Sequence, residues 1–424
     1  MIALTLLWGL EPAAADETPA VVSGEALSLE RCVEIALDMR PSLAAARFGV
    51  ESQASRVGQA AAPARPHVQI SPSYGYSRNE SVGQSGTINT DFTLNQTIFD
   101  WRKTDLTIQG ARQNFEASVL DEADAEQAVI AEVSDAYYSL NRSGRNLEIA
   151  SERVANYEKR LKWAKDFYEA GAKAKIEVTR AETDLANARL DFVMAQGASS
   201  RATSGLLHAM GVSDWARADV MDVLGASDER PDAFDITAEA AVVEALVNRL
   251  DMKAEDIRVD AARTNLELAK KGMAPSLTGS AGYSFSGESD PLDERGWRLS
   301  VGLSVPVFDG GLTRERIKQA DADLSAVEAR RETLKQDVIL AVRNAHSSLV
   351  EARESVTAAY EVERQARETL LLAQGRYRAG VGESLEISDA VDGYAQARLR
   401  VVSALYSHKS AEIALKRVMG VISE

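Results

Sequence analysis

The longest uninterrupted pattern in the chain runs from 312 to 374, where neither glycine nor proline occurs. Apolar or small residues step there by three and four: Ile317, Ala320, Leu324, Val327, then Leu334, Val338, Ala341, Ala345, Leu349, Ala352, Val356 and Ala359. The steps continue through Ala366, Leu370, Ala373 and Tyr377, with Arg331 and Glu363 as polar breaks. Such spacing marks a helix with a coiled-coil seam, about 95 Å long at 1.5 Å per residue. Subtracting 209 finds the seam again: Ile108, Ala111, Phe115, Val129, Ala136, Leu140, Val154, Tyr157, Leu161, Ala164 and Tyr168. A second helix is predicted in each half, about 175–210 and 384–419, entered through Ala170-Gly171 and Ala379-Gly380, where glycine suits a helix stop. Each half also opens with helical pattern, about 28–62 and 237–271, broken by Arg40-Pro41 in the first copy.

A period of two separates these helices. Trp297, Leu299, Val301, Leu303, Val305 and Val307 alternate with Arg298, Ser300, Gly302, Ser304 and Pro306. Subtracting 209 again preserves the faces, with Ile88, Phe92, Leu94 and Ile98 against Asn89, Asp91, Thr93, Asn95 and Thr97. Strands are predicted at about 67–77, 88–99, 276–286 and 297–308, joined in pairs by polar turns at Arg78 to Thr87 and Gly287 to Gly296. About ten residues is the length that spans a bilayer at barrel tilt. Aromatics near the strand ends (Tyr76, Phe285, Trp297, Phe308) fit interfacial girdles. Four strands cannot close a membrane barrel, and an open edge in lipid costs several kcal/mol per unpaired group. Several chains must therefore share one barrel, with the polar faces lining its lumen. The fold class is mainly α with a membrane β-barrel, built as a duplicated repeat of long coiled-coil helices plus two amphipathic β-hairpins.

The offset is constant over two repeats, 27–212 and 236–421, separated by a linker at 213–235 expected to wrap the outside of the helices at the equator. The period is too long for a solenoid unit and marks a duplicated half-structure. Residues 1–15 form a partial export signal: Met1 to Leu10 is apolar and Ala13-Ala14-Ala15 precedes Asp16, although a basic start is missing. Cys32 lies too far in to carry a lipid anchor.

Net charge is −16, which disfavours a phosphate backbone and so excludes nucleic acid as a partner. One cysteine and four scattered histidines offer no disulfide, metal or redox site, and no cofactor is expected. No P-loop, G-x-S-x-G or H-E-x-x-H motif supports an enzyme. A periplasmic adaptor or coiled-coil scaffold is the alternative; adaptors carry one long helical hairpin, whereas this pattern gives two.

Several segments together resemble the TolC-like outer-membrane efflux proteins. They are Leu27 to Leu37, the strand entries Pro66 and Pro275, Val305 to Gly311, Tyr377-Arg378-Ala379-Gly380 with Ser384-Leu385-Glu386-Ile387, and Ala395 to Leu399. The resemblance implies a homotrimer whose twelve strands form one barrel in the outer membrane of a Gram-negative bacterium. Its helices form a tunnel projecting into the periplasm. It further implies a periplasmic adaptor and an inner-membrane pump of the RND or ABC type as partners, and passive export of drugs or secreted proteins. In that family a tyrosine and an arginine at the tip hold the tunnel closed through a threonine and an aspartate. By position Tyr377 is retained, while Gly382 replaces the arginine, Ile176 the threonine and Glu177 the aspartate. Lys173 and Lys175 are candidate substitute cations. The family's acidic entrance ring maps onto Glu386 and Asp389, which are i, i+3 on one helix face. Six such carboxylates under threefold symmetry would favour cations; alternatively, the acids offset the helix dipole. Gly171, Ala172, Gly380 and Val381 would face the adaptor, or simply cap the helices.

Overall fold

A computed structural model describes residues 27–79, 83–212, 236–287 and 294–422; the segments 1–15 and 213–235 lie outside the described residues. The chain order is α1 (Leu29–Met39), α2 (Pro41–Ala61), β1 (His67–Asn79), β2 (Gly83–Phe99), α3 (Lys103–Glu169) and α4 (Lys175–Ala209). Then follow α5 (Ala238–Asn248), α6 (Leu250–Lys270), β3 (Ser276–Gly287), β4 (Glu294–Ser304), α7 (Leu312–Arg378) and α8 (Ser384–Met419).

Local chemistry sets the helix starts. The Ser28 hydroxyl accepts the Arg31 amide at 3.2 Å to begin α1, and 209 residues on the Thr237 hydroxyl accepts the Ala240 amide at 3.3 Å to begin α5. Asp100 accepts the Thr104 amide at 2.8 Å at the head of α3, and Asp309 accepts the Thr313 amide at 2.7 Å at the head of α7. Both α3 and α7 contain 67 residues, about 100 Å at 1.5 Å per residue and slightly more than the rod of about 95 Å that the seam required.

The opening helix of the second half was expected to run unbroken over 237–271, but it splits at Arg249 without a proline. Tertiary packing makes this break. The Arg249 guanidinium donates to the Val418 carbonyl at 3.0 Å, and Gly420 (φ 70°) presses so close that an added Cβ would lie 2.9 Å from the Arg249 Cα. The first half matches: Arg40 donates to the Ala209 carbonyl at 2.9 Å, with Gly211 (φ 74°) against it.

Packing proceeds in two rows. Next to the sheet, α2, α3, α6 and α7 pack in that order; at the far end the order is α4, α3, α8, α7. Helix α3 is thus the spine of both rows, which is why it buries residues on more than the predicted seam, Ser134, Asn141 and Arg160 included. Between the rows lie two cores related by the offset. Ala36, Leu43, Val129, Val133, Leu140, Leu206 and Met210 form one. Ala245, Met252, Val338, Val342, Leu349, Leu415 and Met419 form the other.

The sheet is antiparallel in the order β1-β2-β3-β4, leaving β1 and β4 as edges. Its register aligns Val68, Leu94, Ala281 and Leu299 across all four strands, and likewise Ile70, Phe92, Tyr283 and Trp297. The other face carries Gln69, Thr93, Gly282 and Arg298, then Ser71, Asp91, Ser284 and Gly296. The apolar face is open: Val68, Leu299 and Trp297 are 65%, 71% and 79% exposed. Strand β4 stops at Ser304 rather than at 308. Ser304 already pairs with Ser276, the first residue of β3, and Pro306 has no amide to donate. Strand β2 starts earlier than expected, because Gly83 and Gln84 extend the ladder opposite Asn79 and Arg78.

Candidate functional site: the tip of the helical hairpins

Two turns, α3–α4 and α7–α8, close the end of the helices far from the sheet. In the first, Gly171 is left-handed (φ 70°) and the Phe167 carbonyl accepts the amides of Ala172 and Lys173 at 2.9 and 3.3 Å. In the second, Gly380 is left-handed (φ 74°) and the Arg376 carbonyl accepts the amides of Val381 and Gly382 at 3.1 and 3.0 Å. Gly382 lies flat on the end of α7: an added Cβ would sit 2.8 Å from the Tyr377 amide nitrogen. No arginine fits there in this turn. The repeat equivalent of Gly382 is Lys173, and its ammonium donates to the Gly382 carbonyl at 3.3 Å. The first repeat therefore returns a cation to the position where the second has none.

That ammonium also lies 5.7 Å from the ring centre of Tyr377. Tyr377 is buried, with Trp163 at 6.3 Å and Phe167 edge-on at 5.8 Å, whereas its equivalent Tyr168 is 46% exposed. The Tyr377 hydroxyl has no hydrogen-bond partner among the described residues, nor does Oε2 of Glu177. Burial pushes the Tyr377 pKa up; the Arg160 charge opposes this and the Glu177 charge adds to it. The remaining Glu177 oxygen stands 3.9 Å from Arg180. Lys175 and Ile176 are exposed on the first turn of α4. Glu386 is occupied by Arg376 at 3.0 Å, while Asp389 is exposed without an ion pair among the described residues. Gly171, Ala172, Gly380 and Val381 are all exposed at the extremity.

Above the tip lies a polar ladder that pattern reading missed. Arg160 of α3, almost fully buried, pairs with Asp184 of α4 and donates to Ser384 at 2.6 Å and Ser388 at 2.7 Å on α8. Ser388 donates in turn to Asp184 at 2.8 Å. Two turns further up, Asp392 accepts from Tyr157 at 2.6 Å and from Arg153 at 3.0 Å, and Arg153 also pairs with Asp191. Desolvation, with the Asp392 hydrogen bond, raises the Tyr157 pKa to about 12. The signal was repeat asymmetry: Arg153, Tyr157 and Arg160 correspond to Val362, Ala366 and Thr369. Among the described residues no cluster of His, Cys, Asp or Glu could hold a metal ion, and no helix is long and apolar enough to cross a membrane.

The sequence profile of the outer membrane efflux protein family matches residues 32–212 and 241–421. The chain belongs to this family. It is 23% identical over 371 residues to outer membrane protein TolC of Vibrio cholerae, covering 85% of this chain and 83% of that protein. It is 27% identical over 403 residues to protein CyaE of Bordetella pertussis, covering 93% and 84%. The fold matches the Campylobacter jejuni CmeC outer membrane channel with a TM-score of 0.82 at 16% identity, over 93% of this chain and 85% of that one. The protein is thus an outer-membrane exit channel of the efflux and secretion type, a passive conduit and not an enzyme.

Proposed function

We propose that three copies assemble as a ring, forming one twelve-stranded barrel in the outer membrane and one helical tunnel in the periplasm. The observation that carries this is the open sheet, apolar on one face, polar on the other, and unpaired at both edges. Lipid tolerates no unpaired edge, so β1 of one subunit pairs with β4 of the next. Two copies would give about eight strands, whose interior side chains fill; a third leaves a wet lumen. The helical rows end in the same way. Helix α4 exposes Leu190, Val193 and Met194, and α7 exposes Leu340, Leu371 and Leu372, surfaces that the adjoining subunit would cover.

In this ring the tips meet on the axis, and the Lys173–Tyr377–Gly382 contact fixes each subunit's α3–α4 turn to its α7–α8 turn at the entrance. Glu386 and Asp389 supply the negative charge of that entrance, tempered by Arg376. The exposed turns at Gly171–Ala172 and Gly380–Val381 receive a periplasmic adaptor, which links the channel to an inner-membrane pump. Size determination in detergent and conductance across a planar bilayer test the proposal. A detergent-dependent trimer that conducts is expected; a monomer soluble without detergent that passes no current overturns it. Neutralising Glu386 and Asp389 should lower cation selectivity, and unchanged selectivity would remove them from the pore.

A further inference from the structure

All four crossings between sheet and helices lie at one end of the sheet, because both hairpin turns lie at the other. The crossings are packed together. Gln96 of β2 donates to the Ala64 carbonyl at 2.9 Å, and Lys103 donates to the Ala274 carbonyl at 2.8 Å. Gly272 sits so near Thr313 that an added Cβ would lie 2.6 Å from its hydroxyl. Each crossing carries an exposed cation: Arg65 on the first, Arg102 on the second, Lys271 on the third, Arg314 and Arg316 on the fourth. None of these five forms an ion pair among the described residues, although the Lys271 charge helps to lower the Glu267 pKa. The neighbouring acids are otherwise engaged, Asp100 and Asp309 in capping, Glu267 with Lys270 and Glu315 with Lys318; exposed Asp105 is the exception. A belt of unpaired positive charge is out of character in a chain of net charge −16.

Apolar groups adjoin the belt on its sheet side. Val307 and Phe308 are 88% and 86% exposed, and Phe99, Trp101 and Leu312 are about half exposed. Trp101 and Arg102 hold left-handed backbone (φ 56° and 71°), where the second repeat places Gly310 and Gly311. Bulky residues are strained there, so their side chains must compensate. The Trp101 ring packs edge-on against Phe99 at 5.0 Å, and the register shift after Thr97 sets Phe99 opposite Leu277, in the row of Ala281 and Tyr283.

We propose that this junction binds the phosphate headgroups of acidic phospholipids in the leaflet facing the helices. Trp101, Phe99 and Phe308 enter the acyl boundary, and Arg65, Arg102, Lys271, Arg314 and Arg316 hold the phosphates. The proposal rests on the sheet spanning the outer membrane.

Its test is native mass spectrometry of the detergent-purified oligomer with equal amounts of phosphatidylglycerol and phosphatidylcholine. The wild type should retain phosphatidylglycerol preferentially, by up to about five-fold per engaged cation. The preference should collapse in salt that shortens the Debye length to about 3 Å. It should fall stepwise in Arg102→Gln, Arg65→Gln/Arg102→Gln and the variant with all five cations replaced by Gln. Equal retention of the two lipids by the wild type, or a preference untouched by salt, overturns the proposal without any variant. So does a five-residue variant that keeps the preference. Conductance in a pure phosphatidylcholine bilayer separates the two readings: a wild type that never inserts there refutes the membrane barrel itself, whereas a conducting wild type with no lipid preference refutes only the headgroup site.

Discussion

Replacing Asp184 with alanine should loosen the first turns of α8. The Arg160 side chain is 2% exposed and that of Asp184 29%. Without the carboxylate, the buried guanidinium keeps the Ser388 and Ser384 hydroxyls, at 2.7 and 2.6 Å, as hydrogen-bond acceptors and the Tyr157 ring at 5.8 Å, but no counter-charge. Breaking a fully buried pair costs about 3–5 kcal/mol. Water can reach Asp184 in part, which brings the cost down to about 2–3 kcal/mol. At 1.4 kcal/mol per tenfold, local opening becomes about 30- to 150-fold more frequent. Hydrogen exchange at the amides of 384–392 reads this directly, with α1 as an unaffected reference. Arg160→Met combined with Asp184→Ala removes both charges and should recover most of the lost protection, because an apolar pair replaces an orphaned ion. Unchanged protection in Asp184→Ala, or a double variant no better protected than the single one, would refute the assignment of Arg160 as the buried charge that holds α8 to α3.

Gly382→Ala should open the α7–α8 turn, since its Cβ meets the Tyr377 amide at 2.8 Å; a cost of about 1–3 kcal/mol is expected for such overpacking, read as faster limited proteolysis at 380–383. Gly420→Ala should lower the melting temperature more than Gly171→Ala: both have φ 70°, but only Gly420 has backbone within 3 Å of the added carbon. Equal shifts would show that strain alone matters. His408 is buried, with Nδ1 lacking a partner among the described residues; desolvation lowers its pKa, against the raising effect of Glu412 and with the help of Lys409 and Arg353. The unfolded chain therefore binds the proton first. Stability should be intact above about pH 6.5 and decline as pH falls below it, and His408→Leu should flatten that slope in denaturant titrations.

Much of the architecture was legible because two independent periods recur at the same offset. The bounds of α3 and α7, Lys103–Glu169 and Leu312–Arg378, differ by 209 at both ends. Side-chain alternation likewise gave the faces of β4, and of β2 as far as the register shift after Thr97, since a slip of one residue would have exchanged them. What escaped depended on contacts between distant segments. The break at Arg249 is written in the end of α8, not in the local sequence. The Arg160 ladder joins residues more than 200 positions apart, which no spacing rule connects. At the tip, position alone located Tyr377. Its burial beneath Lys173, while Tyr168 stays in solvent, follows from how the two turns lean on each other.

The bare edges of β1 and β4 have a genetic corollary. In the proposed ring every subunit contributes half of two seams, and closure is only as sound as the weakest of them. A lesion confined to one strand edge should therefore behave as a poison in mixed expression, since a single altered copy spoils a ring otherwise made of intact ones.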